Sequence, residues 1–538
     1  MASSDSQERC GTESSFLKTD HLDMEGQSWK TKGARLLLTL LSVLFCNLSL
    51  PGNPLPVLAG ISLVPLGLAI HGASRVQSLA YSFVFGFFGW FTSTRGLAIG
   101  LSSYMEPSSF VEVLLYLVAF SAYLAAPYGL FGLSYGVFQW MKYPMGSITT
   151  AACLTVLVSC IPTPLPVTPA HSLYVFPVFI QILDLGGEPL LLFALCLFNW
   201  LFVDLILRIR RHQSLKRSVA SMLLLCALVT AYGHFRLNQL HQEEADGDKA
   251  RIITVAAVQP NIPLPGRPDA RPEELTNPLG TILGMSEDVL AANPDVELVV
   301  WPETPITIDC ARDSDALQHL TNIVARYKTP FLINCVEERS LGGSYNTALL
   351  VSGSGEILSY RKRKLFPFVE YLPGERRFPV LRKIMPGAAM YVPGKEAVVF
   401  RIKEGWFVFP VICYEVLFAD EVRGFIEKGG NILVNPTNDA WFGKSRVPDV
   451  LISSSIYQAV EYRVPLIRVS NSGNSLFVKA SGEVVPHSRT ANFKRTTTVD
   501  RVFVPEGRSP YFYFGNIFLY ALTLLVGIEV WRGRYANR

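Results

Sequence analysis

Three residues whose side chains could together transfer an acyl group stand where predicted strands of the chain end. Cys413 follows the apolar run Phe407–Ile412, and Glu303 and Lys362 also come directly after apolar or hairpin strands. A reactive group at a strand end is held by rigid backbone and still faces a substrate. In such a set the carboxylate takes the thiol proton, the thiolate attacks a carbonyl carbon, and the ammonium stabilises the developing oxyanion. The three residue types therefore predict nucleophilic acyl transfer.

Each of these residues also has an ordinary explanation when it is taken alone. A Cys in an apolar strand, such as Cys413, is usually a packed small side chain. Glu303 alone would be a loop carboxylate that caps or solvates, and Lys362 alone would be one member of a basic surface run. Their occurrence together in one predicted domain is what favours a reaction.

The elements that must position these residues lie between residues 251 and 505. Strands alternate there with helices, which indicates an α/β layered domain whose reactive groups gather at strand ends. A linker at 235–250 precedes the domain. The predicted strands and then the predicted helices are Ile252–Val258, Glu297–Trp301, Pro330–Asn334, Tyr345–Val351, Ile357–Arg361, Phe407–Ile412, Ile432–Val434, Leu466–Val469 and Leu476–Val478, with Glu273–Ala292, Gln318–Tyr327 and Asp420–Lys428.

The composition of the 538-residue chain is that of a protein that meets lipid. Hydrophobic residues make up 49% and charged residues 17%, and the mean hydropathy is +0.29. The net charge of +4 gives no argument for nucleic acid as a partner. The nine Cys show no Cys/His spacing of the kind that zinc needs, so no metal and no cofactor is predicted.

Eight apolar runs predict an α-helical transmembrane bundle of eight spans, seven within 34–234 and one at 511–531. Several runs fall short of the ~20 residues of a full span, so their bounds are approximate. Polar tails at 1–33 and 532–538 flank the spans. The runs are Leu36–Leu50, Leu55–Ile70, Leu79–Thr94, Phe110–Leu133, Ser147–Ile161, Pro189–Leu207, Val219–Tyr232 and Tyr511–Trp531.

The basic residues predict the orientation of these spans. Lys and Arg are concentrated in alternate connections, whereas the opposite short loops (51–54, 95–109 and 162–188) hold only Arg95. Basic loops stay in the cytoplasm. Both termini are therefore predicted to be cytoplasmic and the α/β domain external, which means periplasmic in a bacterium with two membranes. The basic side carries Lys30, Lys32, Arg35, Arg75, Lys142, Arg208, Arg210, Arg211, Lys216, Arg217, Arg532, Arg534 and Arg538.

Four motifs occur in an order that resembles a known family. Trp301-Pro-Glu303, Tyr360-Arg-Lys362 with Pro367-Phe-Val-Glu370, Ile412-Cys-Tyr-Glu415 and Asn435–Gly443 are similar to the Glu-Lys-Cys site of the nitrilase superfamily. The versions in this chain look most like those of the bacterial apolipoprotein N-acyltransferases. Seven spans, an external nitrilase-like domain and a final span also match that family's layout.

The resemblance implies a fold, a reaction and residue roles. The domain would be a nitrilase-like αββα sandwich held at the inner membrane. Cys413 would be the nucleophile, Glu303 the general base and Lys362 the oxyanion stabiliser, with Glu370, Tyr414 and Glu415 in support. The acyl donor would be a membrane phospholipid, and the acceptor would be the N-terminal amine of a diacylglyceryl-cysteine lipoprotein. The two would react in turn through a thioester, and the protein is expected to be a monomer.

The chain departs from the family pattern at three positions. Pro260 stands where a Gly is usual, Pro268 where a Trp is often found, and Val369 where a Gly precedes the Glu. These departures concern substrate contacts and the turn that carries Glu370.

Two smaller sequence features leave alternatives open. Cys310 and Cys335 both lie in the external domain and are either a disulfide or two buried thiols. Arg95 either contacts a lipid phosphate or extends to the membrane surface by snorkelling.

Two other functional classes remain open at this stage. One is a membrane-tethered amidase or nitrilase, in which water replaces the amine. The other is a transport or lipid-binding protein whose external domain only recognises a ligand. The spans lack an evident set of paired intramembrane charges, which disfavours a transporter.

Overall fold

The computed structural model describes residues 31–94, 96, 110–143, 145–248, 251–263, 277–304, 309, 314–340, 342–385 and 388–535. Arg95, Pro268 and Cys310 lie outside the described residues, so the predictions made for them stay predictions.

The N-terminal part is a bundle of apolar helices. Polar residues at their N-termini cap two of them, as Thr31 accepts from the Ala34 amide and Ser74 forms a capping box with Gln77. The helices are α1 (Lys32–Ser49), α2 (Val64–Ile70), α3 (Arg75–Ser93), α4 (Phe110–Trp140), α5 (Ser147–Cys160), α6 (Pro177–Ile180), α7 (Leu183–Arg210) and α8 (Lys216–Asp246).

Among the described residues, four helices are long and apolar enough to cross a membrane: α1, most of α4, α7 and α8. The number of eight spans stays a prediction. Helix α8 continues to Asp246, through most of the segment predicted as a linker. The reason is local, since no Gly or Pro interrupts the sequence between His234 and Gly247.

The C-terminal part contains two β-sheets. The strands of the first sheet lie in the order β11-β1-β2-β3-β4-β5, and those of the second in the order β10-β9-β8-β7-β6. The strands are β1 (Ile252–Gln259), β2 (Leu298–Val300), β3 (Phe331–Glu338), β4 (Ser344–Val351), β5 (Ile357–Arg361), β6 (Phe400–Lys403), β7 (Trp406–Pro410), β8 (Ile432–Thr437), β9 (Leu466–Ser470), β10 (Leu476–Val478) and β11 (Thr496–Phe503).

Helices follow or separate these strands. They are α9 (Pro278–Ala292), α10 (Ser314–Tyr327), α11 (Val380–Ile384), α12 (Ala419–Glu427), α13 (Val447–Tyr462), α14 (Pro510–Phe514) and α15 (Ile517–Tyr535). All nine predicted strands and the three predicted helices of the domain are present, with bounds that differ by a few residues.

Successive side chains along a strand point to opposite faces of the sheet, so the two faces of each sheet pack on different neighbours. Ile253, Val255 and Ala257 of β1 share one core with the second sheet. Ala256 and Val258 point the other way and share a separate core with α9 and α10. On the outer face of the second sheet, Phe409 of β7 stacks on Phe425 of α12 with ring centroids 5.3 Å apart. The layers are therefore α, β, β and α, as the resemblance implied.

The segment 162–188, one of the loops predicted to be external, lies against this domain. The Tyr414 hydroxyl donates to the Pro164 carbonyl, and Gln181 Nε2 donates to the Ser481 carbonyl at 2.8 Å. Arg463 Nη2 contacts Asp184 Oδ2 at 2.7 Å, and both side chains are almost completely buried. The bundle and the α/β domain thus pack on each other through the segment 162–188.

Candidate active site

Cys413 occupies a sharp turn directly after the end of β7. It begins a 3₁₀ turn, Cys413–Leu417, and its own φ is +49°, which is the left-handed region that residues other than Gly rarely adopt. The thiol is 7% exposed, and its sulfur accepts a hydrogen bond from Thr437 Oγ1 at 3.2 Å. The turn that follows β7 and Thr437 of the neighbouring parallel strand β8 therefore fix the position of the sulfur.

Lys362 lies between two carboxylates in the same buried region. Its Nζ is 3.0 Å from Glu303 Oε1 and 3.0 Å from Glu370 Oε1. Asn346 Nδ2 donates to the same two oxygens, at 2.8 Å and 3.1 Å. Asn334 in turn donates to Asn346 Oδ1 at 2.8 Å. The ammonium and the two acids thus form one hydrogen-bonded cluster, which holds Glu303 in a single orientation.

The charges of this cluster act on the Cys413 thiol. Burial and then the negative charge of Glu303 raise the pKa of Cys413, while the ammonium of Lys362 and the bond from Thr437 lower it. Burial alone would lower the pKa of Lys362, but the charges of Glu303 and Glu370 outweigh it and hold that pKa well above the usual value. The resting site therefore contains a protonated thiol beside a carboxylate and a permanent ammonium.

Glu415 connects the Cys413 turn to the segment that carries Lys362. Its Oε1 accepts from the Tyr360 hydroxyl at 2.8 Å and from the amides of Arg363 and Lys364 at 2.7 Å and 2.9 Å. Its Oε2 accepts from the Ile412 amide at 2.8 Å. Burial raises the pKa of Glu415 to about 7, against the lowering effect of Lys362 and these donors. Glu415 therefore sets the spacing between the thiol and the amine.

Tyr414 points away from the acid cluster and towards the helical bundle. Its ring lies 4.7 Å from that of Phe366 and 5.1 Å from that of Phe418, measured between centroids. Its hydroxyl contacts the Pro164 carbonyl of the external segment. This residue consequently joins the site to the loop after α5.

Glu303, Lys362 and Glu370 lie in one hydrogen-bonded cluster, and Cys413, Tyr414 and Glu415 lie together in the buried turn that follows β7. The roles predicted for these six residues stay predictions. Sequence reasoning did not assign Asn334, Asn346 or Thr437 to the site. A signal was available for the two Asn residues, because each interrupts an apolar strand with a buried amide, and buried amides require partners.

The departures from the family pattern are accommodated locally. In the Gln259–Ile262 segment the amides of Asn261 and Ile262 donate to the carbonyl and side-chain oxygens of Asn471, at 2.9 Å and 3.0 Å. In the turn before Glu370 the positive φ of +67° belongs to Phe368 and not to Val369. A Gly is therefore not required at position 369.

The disulfide prediction is tested for one of its two residues. Cys335 is fully buried in β3 and is disulfide-bonded. Its predicted partner, Cys310, lies outside the described residues.

The family model of carbon-nitrogen hydrolases matches residues 254–502. This range contains all six site residues and all but the outermost residues of β1 and β11 in the two sheets. The C-terminal half of the chain is therefore a nitrilase-like carbon-nitrogen hydrolase domain, and it follows a half that is rich in apolar helices.

Comparison with curated proteins extends the match beyond this domain. An apolipoprotein N-acyltransferase of Geobacter metallireducens is 26% identical over 498 residues, which is 90% of this chain and 92% of that protein. The apolipoprotein N-acyltransferase of Haemophilus influenzae is 27% identical over 334 residues, 60% of this chain and 61% of that protein. These relatives confirm the resemblance stated from the motifs. Among solved structures, a carbon-nitrogen hydrolase from Helicobacter pylori is 17% identical and covers 47% of this chain and 89% of that one, with a TM-score of 0.37.

Proposed function

We propose that this protein is an apolipoprotein N-acyltransferase that works through a thioester on Cys413. It transfers an acyl chain from a membrane phospholipid to the N-terminal amine of a diacylglyceryl-cysteine lipoprotein. The name of the relatives supports the reaction class. The observation that carries the mechanism is the buried cluster in which Lys362 bridges Glu303 and Glu370 beside the thiol.

The hydrogen bonds distinguish the roles of the two acids. Both oxygens of Glu370 are occupied, because Oε1 accepts from Lys362 and Asn346 and Oε2 accepts from the Phe366 amide at 2.7 Å. Within the described residues, the bonds to Glu303 all reach Oε1. Glu303 Oε2 is therefore the oxygen we assign to proton transfer, and Glu370 orients Lys362.

The first half-reaction acylates the enzyme. Glu303 takes the Cys413 proton as the sulfur attacks the ester carbonyl carbon, and the Lys362 ammonium stabilises the oxyanion of the tetrahedral intermediate. The C–O bond of the ester then breaks, and the proton on Glu303 goes to the departing lysophospholipid alkoxide. The products are a thioester and a free hydroxyl on the lysophospholipid.

The second half-reaction reuses the same groups. The neutral amine of the acceptor attacks the thioester carbon, Glu303 receives a proton from the nitrogen, and the C–S bond breaks. The proton then returns to the leaving thiolate and restores Cys413. A thioester retains enough acyl reactivity for an amine, so no ATP and no cofactor enters the cycle.

Both substrates are anchored in lipid, and the arrangement of the chain suits that. Extraction of an acyl chain into water costs ~0.8 kcal/mol per methylene, and a catalytic domain held at the membrane avoids this cost.

The two ends of the helical bundle have different neighbours. At one end the segment 162–188 packs on the catalytic domain, and at the other end residues of the basic connections contact one another. Arg75 lies 4.4 Å from the centroid of the Trp140 ring, and Arg211 Nη2 lies 3.0 Å from His71 Nε2.

These contacts support the predicted orientation, which we propose for the protein. The basic ends and the tails 1–33 and 532–538 lie in the cytoplasm, and the domain 251–505 faces the periplasm from the inner membrane. Spans within 34–234, the segment 235–250 and a last span at 511–531 connect these parts in one monomer.

A reconstituted transfer assay tests the function. Purified protein is mixed with a phospholipid that carries a radiolabelled acyl chain and with a diacylated lipopeptide. The expected result is an amide-linked third chain on the lipopeptide. Release of labelled fatty acid alone would establish a hydrolase, and no release of label would contradict any acyl-enzyme chemistry.

A further inference from the structure

A second site lies in a cavity between the helical bundle and the carbon-nitrogen hydrolase domain. It is a cavity of about 480 Å³, and Cys413 does not line it. Its walls come from both halves of the chain, with Leu124 of α4 and Val158 of α5 on one side, and Gln458 and Glu461 of α13 on the other. Glu188, directly after the Gly186–Gly187 kink in α7, closes one end.

The ionisable side chains of this cavity are mostly acidic. Glu188, Asp420, Glu421 and Glu461 line it, against the single basic side chain of Lys364. Glu421 is neutralised from outside the cavity, because its carboxylate lies 3.0 Å from Arg363 Nη2. The His171 imidazole is also present, but burial lowers its pKa to about 4, so it carries no charge at neutral pH. The cavity therefore disfavours anions such as phosphate.

On α13, two acceptor atoms in the cavity wall have no hydrogen-bond partner among the residues that the structure describes. Glu461 Oε1 accepts from the Glu188 amide at 2.8 Å, whereas Glu461 Oε2 is buried without a hydrogen bond within the described residues. Gln458 Oε1 is also buried and has no hydrogen bond within the described residues. The two side chains are 1% and 5% exposed, one helical turn apart on α13. Buried polar atoms are rarely left unmatched in folded proteins, so these two point to a missing donor.

An apolar crevice continues from the acidic cavity into the bundle. It has a volume of about 80 Å³ and reaches Leu50 of α1 and Phe85 of α3. The two spaces share walls at six residues: Trp90, Tyr128, Leu165, Val167, Thr168 and Leu417. An occupant can thus place a polar group among the acids and an acyl chain between the helices.

We propose that this cavity binds the primary ammonium group of an acyl-chain amphiphile. The N–H groups of the ammonium donate to Glu461 Oε2 and Gln458 Oε1, and the chain lies in the apolar crevice. A trimethylammonium group has no N–H and leaves both acceptors unmatched, and a neutral hydroxyl supplies one donor and no charge. The site is separate from the proposed chemistry at Cys413 and requires no turnover.

The protonation of Glu461 agrees with an empty cation site. Burial raises the pKa of Glu461 to about 8; the hydrogen bond from the Glu188 amide lowers it, and the charges of Glu188 and Asp420 add a smaller rise. A bound ammonium restores the ionised carboxylate, because an opposite charge at short distance favours the charged form.

Binding to the full-length Cys413→Ala protein, which cannot turn over, tests the site. The probes are dodecylammonium, dodecyltrimethylammonium and dodecanol, measured by isothermal titration in the same detergent. A charge-assisted hydrogen bond is worth about a tenfold difference in affinity, so dodecylammonium should bind roughly 10-fold more tightly than either control. Equal affinities for the three probes would overturn the proposal, whatever the outcome of the transfer assay.

A matched pair of variants locates the effect. Glu461→Gln keeps the shape and places an amide at this position, so the roughly 10-fold preference for dodecylammonium should disappear. Glu356→Gln changes an exposed carboxylate in the β4–β5 turn and should keep the preference. A preference that survives Glu461→Gln would contradict the assignment. Should Glu461→Gln fail to fold, the three-probe comparison in the parent protein decides alone.

Binding measurements with two pairs of lipids distinguish two natural sources of the ammonium group. Tighter binding of phosphatidylethanolamine than of phosphatidylcholine would assign the site to a lipid headgroup. Tighter binding of a diacylated lipopeptide with a free amine than of its N-acetylated form would assign it to the peptide amine. If the protein binds the two members of each pair with equal affinity, the proposed site is refuted.

Discussion

Two buried clusters of carboxylates in this protein differ in one component, a cation. In the first, Lys362 lies 3.0 Å from both Glu303 and Glu370. In the second, the Glu188 amide donates to Glu461 Oε1, and within the described part of the chain neither carboxylate has a salt bridge and Glu461 Oε2 has no hydrogen bond. Burial of a charge is costly unless it is paired.

From this difference we infer that the first cluster serves the reaction and the second cluster serves the recognition of a ligand. A cluster that supplies its own cation is preorganised and keeps its carboxylates ionised, which suits proton transfer in a resting enzyme. In the second cluster Glu461 keeps its proton, because burial raises its pKa to about 8, and a cationic ligand would replace that proton.

The largest expected effect is on the nucleophile. Replacement of Cys413 by Ala removes the atom that carries the acyl chain, so transfer should fall by a factor of at least ~10³. The radiolabel transfer assay measures this loss. Cys226→Ala, at an exposed free thiol of α8, is the control and should retain activity. Transfer that persists in Cys413→Ala would exclude the thioester route.

Glu303→Gln separates the role of a base from that of a simple charge. Loss of a general base should slow transfer by about 10²–10⁴-fold. The same change removes a negative charge that raises the pKa of Cys413, so the thiol pKa should go down. The pH profile of Cys413 alkylation measures this and should move to lower pH. A variant with a lower thiol pKa and faster transfer would show that Glu303 is not the base.

Lys362→Met should destabilise the domain as well as inactivate it. Removal of one partner from a buried ion pair costs about 3–5 kcal/mol, because the remaining carboxylates lose their compensating charge. Thermal unfolding followed by circular dichroism should show a clear drop in Tm. Lys383→Met, at an exposed residue of α11, should leave the Tm within experimental error. An unchanged Tm in Lys362→Met would mean that the two acids are not ionised together.

Glu461→Gln, in the second cluster, should stabilise the folded protein, whereas Lys362→Met should destabilise it. The pKa of Glu461 is about 8 in the folded protein, above the value of 4.5 for a free Glu. The folded state therefore holds its proton more tightly, and stability from this group is lost as pH rises from about 4.5 to 8. Gln has no proton to lose, so the variant should gain stability relative to the parent across that window. The rise in pKa from 4.5 to about 8 corresponds to a difference of roughly 5 kcal/mol at pH 9, followed as Tm against pH.

Much of the fold could be predicted from the sequence where patterns are local. Strands β5 and β10 begin and end where predicted, because turn residues flank short apolar runs. Helix α13 was missed because it is buried on all sides, so no 3.6-residue periodicity marks it. Strand β11 was missed because Asp500 and Arg501 interrupt it, as is common on an edge strand.

The positions of the proposed catalytic residues were predictable for a related reason, and the second cluster was not. Glu303, Lys362 and Cys413 each follow a strand closely, so their approximate position follows from the strand pattern alone. Glu188 and Glu461 are separated by 273 residues and meet only because the bundle packs on α13. A single sequence contains no local sign of such a contact.

One measurement tests the central account most directly. The protein is incubated with a phospholipid of known chains and without acceptor, then digested and examined by mass spectrometry. We expect one acyl chain on the peptide that contains Cys413, labile to hydroxylamine, and lost when a diacylated lipopeptide is added. An unmodified Cys413 peptide under conditions in which transfer proceeds, or an acyl chain on a different residue, would contradict the account.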